Sequence, residues 1–541
     1  MERIQIPIEH SAHSPAVYAA SGAALSYYGY HNLIAHNSIA SDGSGFPLLV
    51  LYVFLSLVLS LARVLSSSPF LFASSQKTQA QVPRIISKAN ILLCAGFVGL
   101  CLGFTARILL PGSAEIAMPH DRVTGLSGIL SGDPRAFNDG RGMGAMELVQ
   151  AAGIGGIRVS ARGKLTVFFP AEAIPRLKEF GRGSEIYVEG VLISRNQISG
   201  NQGSSNGELL FRASSVHVLR PAPALDQFRT GFRMAAMEKF GIQAGSNTGG
   251  NTSAKPPPWG GLASALLLGI RDNLDSDLTQ VFNKAGCAHV LALSGMHLAI
   301  LSSVIAFLLR LCMGIRPASL ISAVFVVVYI FLAGSQPSLV RAGIIFLLGT
   351  LALLGYLKRN ALSLLAMAFI LQIFIQKESG ISISFILSYL ALIGILWTGE
   401  SIHELLRGRV PEILNRSLSA SLGAVIATLA VTAFYFGEIH PIGIIASIIV
   451  MPVASVFMVL SFGSLILISI IPFLFTPLNV VLTIVFKLLE FFVNAAGKVP
   501  GFSIPSFIPV IAVSAGLVFL LEYLKYRDRI YRRSIASIDI R

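Results

Sequence analysis

The string His289-Val-Leu-Ala-Leu-Ser294-Gly295-Met-His297 stands where an apolar run long enough to cross a membrane begins. Serine and histidine at this spacing suit three chemistries: nucleophilic hydrolysis, metal binding, or a polar contact inside a bilayer. An intramembrane serine hydrolase needs an activated serine and is expected to show Gly-x-Ser-Gly, whereas Ala292 stands two residues before Ser294. On one continuous helix Ser294 and His297 are near neighbours, and His289 and His297 lie two turns apart. A zinc site needs three or four ligands, and no HExxH string occurs. The residues therefore favour close helix packing at Gly295 or the lining of a polar path. That reading expects no catalytic residue, no metal and no cofactor.

A second polar string, Gly334-Ser-Gln-Pro337-Ser338-Leu-Val-Arg341-Ala342, opens another apolar run. Pro337 suits the first turn of a helix, and Ser338 and Arg341, three apart, share a face. Two readings of Arg341 stand. It snorkels to the nearby surface, or it faces a water-filled vestibule where it attracts phosphate through bidentate hydrogen bonds. Ser384 and Ser388 are one turn apart in Ile383–Tyr389, and hydrogen bonding between helices is their plainer role. Glu438 and His440, beside Pro441, read as a solvated helix end.

The elements that must carry these strings are membrane spans. Of 541 residues 54% are hydrophobic and 13% charged, mean hydropathy is +0.72, and soluble chains carry about 25% charged residues. Runs of about 20 apolar residues fall at Phe46–Leu65 and Ala89–Leu109, with a weaker candidate at Pro15–Leu33. Nine more fall near 288–311, 317–334, 338–357, 361–376, 381–398, 417–437, 441–471, 476–497 and 508–524. Pro452 leaves 441–471 open as one tilted helix, two half-helices or a re-entrant pair. Leu262–Phe282 reads as an amphipathic helix or helix pair, too polar with Asp272, Asp275 and Asp277 to span, and suited to the interface at the mouth of the bundle. The net charge of +14 is mainly a matter of loops: Lys and Arg collect on the cytoplasmic side, which places the tail after Lys525 inside and the polar segment 111–258 outside. The four cysteines, Cys94, Cys101, Cys287 and Cys312, lie in or beside apolar runs, so no disulfide framework is expected. The start lacks the pattern of a cleavable signal peptide.

The polar segment alternates glycine turns with short runs rich in Val, Ile, Phe and Tyr: Arg122–Leu130, Gly156–Ser160, Lys164–Phe169, Glu185–Ile193 and Gly207–Leu219. Five such strands predict a small barrel or sandwich, the oligonucleotide-binding (OB) barrel being one form. A helix follows over 225–240, with Leu225, Phe228, Phe232, Ala235, Ala236 and Phe240 near one face and Arg229, Arg233 and Lys239 elsewhere. The expected class is thus a polytopic α-helical membrane protein with an inserted small all-β, OB-like extracytoplasmic domain. Its parts are transmembrane segments over 1–110, the β domain with its trailing helix over 111–240, a flexible linker over 241–258, a multi-helix membrane domain over 259–524, and a basic tail over 525–541.

The ordered motifs resemble those of the ComEC family. His289–His297 is similar to the family string H-L-L-A-I-S-G-x-H, and Gly334–Ala342 to G-x-x-P-S-x-x-R-A. Ser384–Tyr389 resembles G-F-x-L-S-F, with Ser384 for glycine and Tyr389 for phenylalanine, and Tyr435-Phe436-Gly437 followed by Pro452 fits a later element. The resemblance covers about Gly261 to Ile470 and extends to the polar segment, which looks like the family's OB-like domain. It implies a channel of the bacterial inner membrane that carries transforming DNA into the cytoplasm as a single strand, and it makes His289, Ser294, Gly295, His297, Pro337, Ser338, Arg341, Ser384 and Ser388 the candidate conduit residues. The implied partners are single-stranded DNA, membrane lipid, a periplasmic DNA receptor, a cytoplasmic DNA motor, a separate nuclease and other copies of the chain. Many members carry a metallo-β-lactamase-like domain, but no H-x-H-x-D-H string occurs here. No Walker motif occurs either, so a motor or the membrane potential is expected to drive transport. A small-solute secondary transporter, which also places broken helices and polar residues at mid-membrane, and an intramembrane hydrolase are the alternatives.

Overall fold

A computed structural model describes residues 115–137, 140–194, 209–242, 257–356, 361–376 and 382–503, and scattered positions between 510 and 527. The expected spans at Phe46–Leu65 and Ala89–Leu109, the candidate at Pro15–Leu33, most of the 241–258 linker and the basic tail lie outside these residues.

Five strands close on themselves. They are β1 (Val123–Leu130), β2 (Gly142–Gly153), β3 (Lys164–Phe169), β4 (Glu185–Ser194) and β5 (Leu209–Arg220). β1 pairs antiparallel with both β2 and β4, β2 with β3, and β4 with β5. The ring closes through a parallel pairing of β3 with β5, Thr166–Phe168 against Leu210–Arg212. Helix α1 (Ala173–Phe180) links β3 to β4. This strand order is that of an OB barrel, and closure removes the exposed edges that sheets otherwise present. Alternate residues fill the interior: Leu126, Leu130, Met146, Val167, Phe169, Ile186, Val188 and Phe211 are buried together.

The expectation of five staves holds, but one stave differs. Gly156–Ser160 contributes only a short strand, Arg158–Arg162, at the side of β2. The stave itself is β2, whose sequence Gly-Met-Gly-Ala-Met-Glu-Leu-Val-Gln-Ala-Ala-Gly is poor in β-branched and aromatic residues. Small residues are required there because neighbours crowd it. A Cβ on Gly144 would meet Phe169 at 3.1 Å.

Helix α2 (Ala224–Lys239) follows the barrel as expected, but its faces are used the other way round from a soluble helix. Arg229 and Thr230 are buried, while Leu225, Phe228 and Phe232 are exposed. Its C-terminal end is rooted in the membrane core, where Ala236 and Phe240 join Trp259, Leu262 and Leu266.

Leu262–Phe282 is a helix pair, not a single surface helix. α3 (Gly260–Leu268) ends at Gly269, whose φ of 69° suits glycine, and α4 (Ser276–Lys284) starts at the Asp275 cap. The interfacial position expected for this segment does not hold for α3, which packs in the core on all sides, with Leu262, Ala263, Ala265 and Leu266 at most 1% exposed. Its acidic residues belong to the turn after Gly269 and to α4. They do not oppose burial of the apolar first half.

The bundle proper comprises α5 (Gly295–Cys312), α6 (Ile315–Ala333), α7 (Pro337–Leu354), the shorter α8 (Ala361–Ile375), α9 (Ile383–Gly394), α10 (Glu412–Phe436), α11 (Ile442–Ile470) and α12 (Phe475–Gly497). α9 continues through the π-helical turn Ile395–Gly399 and Glu400–Leu406. Counting that continuation, seven of these helices are long and apolar enough to cross a membrane among the described residues. The expected span at 508–524 is described only in part. Pro452 does not break α11, which runs unbroken for 29 residues. At the crossing of α9 and α10, Gly394 and Gly399 lie backbone to backbone with Gly423, a small-residue contact of the kind membrane helices use in place of hydrophobic pressure. The chain is a multi-pass membrane protein with an OB-type barrel.

Candidate functional site

Ser294 does not lie within a continuous helix, as the sequence expectation had it. Ala288–Leu291 forms one short turn, Ala292 is extended, and Ser294 is the cap residue before α5 begins at Gly295. The Ser294 N–H donates to His297 Nδ1 at 3.2 Å, as the first residue of a capping box donates to the third helical side chain. Ser-Gly-x-His is thus a helix-start signature with histidine in the usual glutamate position. A break here frees backbone groups, and the structure re-satisfies one of them: Ser338 Oγ donates to Leu293 O at 3.0 Å.

That bond ties the start of α5 to the start of α7. Gly295 allows the approach, because a Cβ there would lie 2.9 Å from Ala342 Cβ, 3.0 Å from Arg341 Nη2 and 3.1 Å from Ser338 O. Arg341 does not snorkel. It is 7% exposed, its Nη1 donates to Ser388 Oγ on α9, and its guanidinium carbon stands 5.6 Å from the centre of the Tyr389 ring. Its Nε is buried without a partner, and among the described residues no carboxylate pairs with it. The guanidinium also points toward the start of α5, the positive end of that helix. Two positive ends converging without an anion make an electropositive spot inside the bundle.

The polar contacts continue beyond the residues that the sequence singled out. Tyr389 Oη donates to Gln372 Oε1 at 2.9 Å, Gln372 Nε2 donates to Pro337 O at 2.7 Å, and Gln376 Nε2 donates to Ser335 O at 2.6 Å. Gln372 is fully buried. Its signal was present in the sequence as an amide inside the apolar run 361–376, one turn before Gln376 at its end, a placement that lipid penalises.

The structure therefore brings Ser294, Gly295, His297, Pro337, Ser338, Arg341 and Ser388 together where α5, α7, α8 and α9 meet. His289 and Ser384 stand apart. His289 is exposed on the preceding turn, and Ser384 is exposed on α9. Among the described residues no group of three His, Cys, Asp or Glu is placed to hold a metal.

A second polar junction joins the barrel to the bundle. Asp133, in the loop after β1, accepts from Arg229 Nη1 at 3.1 Å and Nη2 at 2.7 Å and pairs with Arg233. Arg233 Nη2 reaches Leu268 O at the end of α3, at 3.1 Å. Burial alone would raise the Asp133 carboxyl, but the Arg233 and Arg229 guanidiniums outweigh it and hold its pKa below the usual value. Lys178 on α1 pairs with Asp272 at 2.7 Å.

Fold and site together define a membrane helix bundle with a buried cationic centre under an OB-type barrel. Residues 266–527 match the family described as Competence protein, in line with the resemblance carried by the motifs. The chain is 26% identical over 207 residues to ComE operon protein 3 of Bacillus subtilis, a match of 37% of this chain and 25% of that protein. It is 28% identical over 269 residues to an uncharacterized protein of Aquifex aeolicus, covering 48% of this chain and 61% of the relative. Both matches span less than two thirds of the relatives' own length. No solved structure matches the chain.

Proposed function

We propose that the chain serves DNA uptake in competence, passing transforming DNA through the bacterial inner membrane as a single strand. The observation that carries this reading is Arg341, 7% exposed and without a carboxylate partner among the described residues, at the meeting of α5, α7 and α9. A buried cation of this kind is costly and is stabilised when phosphates pass beside it. Ser294, Gly295, His297, Pro337, Ser338 and Ser388 position that cation, and His289 and Ser384 line the approaches. The OB-type barrel lies outside and receives the strand, and the tail after Lys525 lies inside. Membrane lipid surrounds the bundle. A periplasmic DNA receptor, a cytoplasmic motor, a separate nuclease and other copies of the chain are the partners such a path needs.

The role is one of conduction, not catalysis. Ser294 caps a helix, and His297 Nδ1 accepts from the Ser294 backbone N–H, which supports positioning over nucleophilic chemistry. The test is uptake of labelled DNA in a deletion strain, with nuclease-resistant DNA counted on each side of the inner membrane. The wild-type chain restores inner DNA, Arg341→Lys restores part of it, and Arg341→Gln leaves DNA outside. Full import by Arg341→Gln contradicts the reading.

A further inference from the structure

Between barrel and bundle runs a seam supplied with cations from both sides. Lys178 and Arg135 come from the barrel domain, Arg229 and Arg233 from α2, and Arg271 from the turn between α3 and α4. Asp133 is taken up by Arg229 and Arg233, and Asp272 by Lys178. Arg135 and Arg271 are left. Both are exposed, and neither pairs with a carboxylate among the described residues. The ion pairs bring their segments together: Arg233 holds Asp133, two residues before Arg135, and also reaches Leu268 O, three residues before Arg271, while Lys178 holds the neighbouring Asp272. Two like charges held together by separate parts of a fold attract an anion that bridges them.

An aromatic surface adjoins these charges. Phe137 lies two residues beyond Arg135, is 42% exposed, and stacks on Phe168 of β3 with ring centres 6.5 Å apart and planes 27° apart. Cations beside an exposed, sequence-tolerant stacking face are the usual recipe for single-stranded nucleic acid. The seam also leads inward. Arg229 Nη2 stands 3.4 Å from the Cβ position of Gly334, and Gln336 Nε2 stands 3.0 Å from that of Gly269. Gly334 to Gln336 is the loop that enters α7 and its Arg341.

We propose that Arg135, Arg271 and Phe137 form a binding step for single-stranded DNA between the barrel and the bundle, the arginines bridging phosphates and Phe137 stacking a base. The step rests on the reading above, since it names where the strand is held before it reaches Arg341. It differs from a generic basic surface in requiring one residue from each side of the seam.

The test uses the full chain in lipid nanodiscs with a fluorescent oligothymidylate, its affinity followed by anisotropy over a range of salt. Wild type binds with a salt slope that falls by roughly 0.7 for each arginine removed, so Arg135→Gln with Arg271→Gln lowers it by roughly 1.4. Phe137→Ala weakens affinity about tenfold without changing the slope. Arg158→Gln, an exposed arginine away from the seam, changes neither. Slopes equal to wild type in the double variant, or an equal loss in Arg158→Gln, overturn the step. If those slopes are unchanged while import still depends on Arg341, the seam alone fails. If wild type neither binds the oligonucleotide at low salt nor supports import, the wider reading fails as well.

Discussion

Asp133→Asn separates the barrel from the bundle electrostatically while leaving every atom position filled. Asp133 is the carboxylate shared by Arg229, whose side chain is 4% exposed, and Arg233, at 12%. Removing one partner of a buried ion pair costs about 3–5 kcal/mol, because the remaining charge is buried without compensation. Arg233 keeps its bond to Leu268 O, which places the expected loss near the lower end, about 3 kcal/mol. The loss falls on α2, so amide exchange reads it locally. At about 1.4 kcal/mol per decade, 3 kcal/mol is roughly a hundredfold loss of protection. The same ion pair fixes a pH dependence. The folded-state pKa of Asp133 lies below its ordinary value of 3.8. Its contribution is therefore full above that value and is lost as pH falls through the lower, folded one. Protection factors of α2 should stay level from about pH 8 to pH 5 and fall only in the acid range. Replacing both arginines by Met alongside Asp133→Asn should recover part of the loss. Protection of α2 in Asp133→Asn within a factor of about two of wild type, under 0.5 kcal/mol, would refute the reasoning.

Other consequences concern the centre of the bundle. Gly295→Ala places a methyl 2.9 Å from Ala342 Cβ and 3.0 Å from Arg341 Nη2; the overpacking costs about 1–3 kcal/mol and lowers the thermal midpoint, whereas an unchanged midpoint would show that α5 and α7 are not in close contact. Tyr389→Phe removes the donor to the fully buried Gln372 and should cost about 1–3 kcal/mol, read in the same assay; a neutral result would mean that the amide has another donor. Single cysteines at 294, 297 and 341, in a background lacking the four native cysteines, should react with a charged thiol reagent, while one at Leu308, 52% exposed on the outer face of α5, should not. Three unreactive positions in a folded protein would contradict a wet path.

The sequence carried the large features because their signals are thermodynamic and local. Apolar runs of membrane length and alternating strands each answer to the solvent around them. Pro337 and Ser338 mark the start of α7, and close helix packing was legible at Gly295, though not that α7 is the helix that packs there. What escaped was set by tertiary contact. β2 has weak strand propensity and is a stave because Gly142, Gly144 and Gly153 let crowded neighbours approach. The break at Ala292–Ser294 is fixed by His297 and by Ser338 donating to Leu293 O, bonds that run of apolar residues does not announce. Helix α2 buries its arginines because Asp133, almost a hundred residues earlier, meets them there. His289 matched its motif and Ser384 stood in place of a motif glycine, yet the helix break and the face of α9 leave both exposed.

The most direct measurement captures DNA in transit. A photo-crosslinking amino acid is placed in turn at positions 294, 388 and 308, and cells importing labelled transforming DNA are irradiated. The account predicts that positions 294 and 388, which flank Arg341, trap single-stranded DNA, and that position 308 traps none. Continued import with no DNA trapped at 294 or 388 would contradict a path past Arg341.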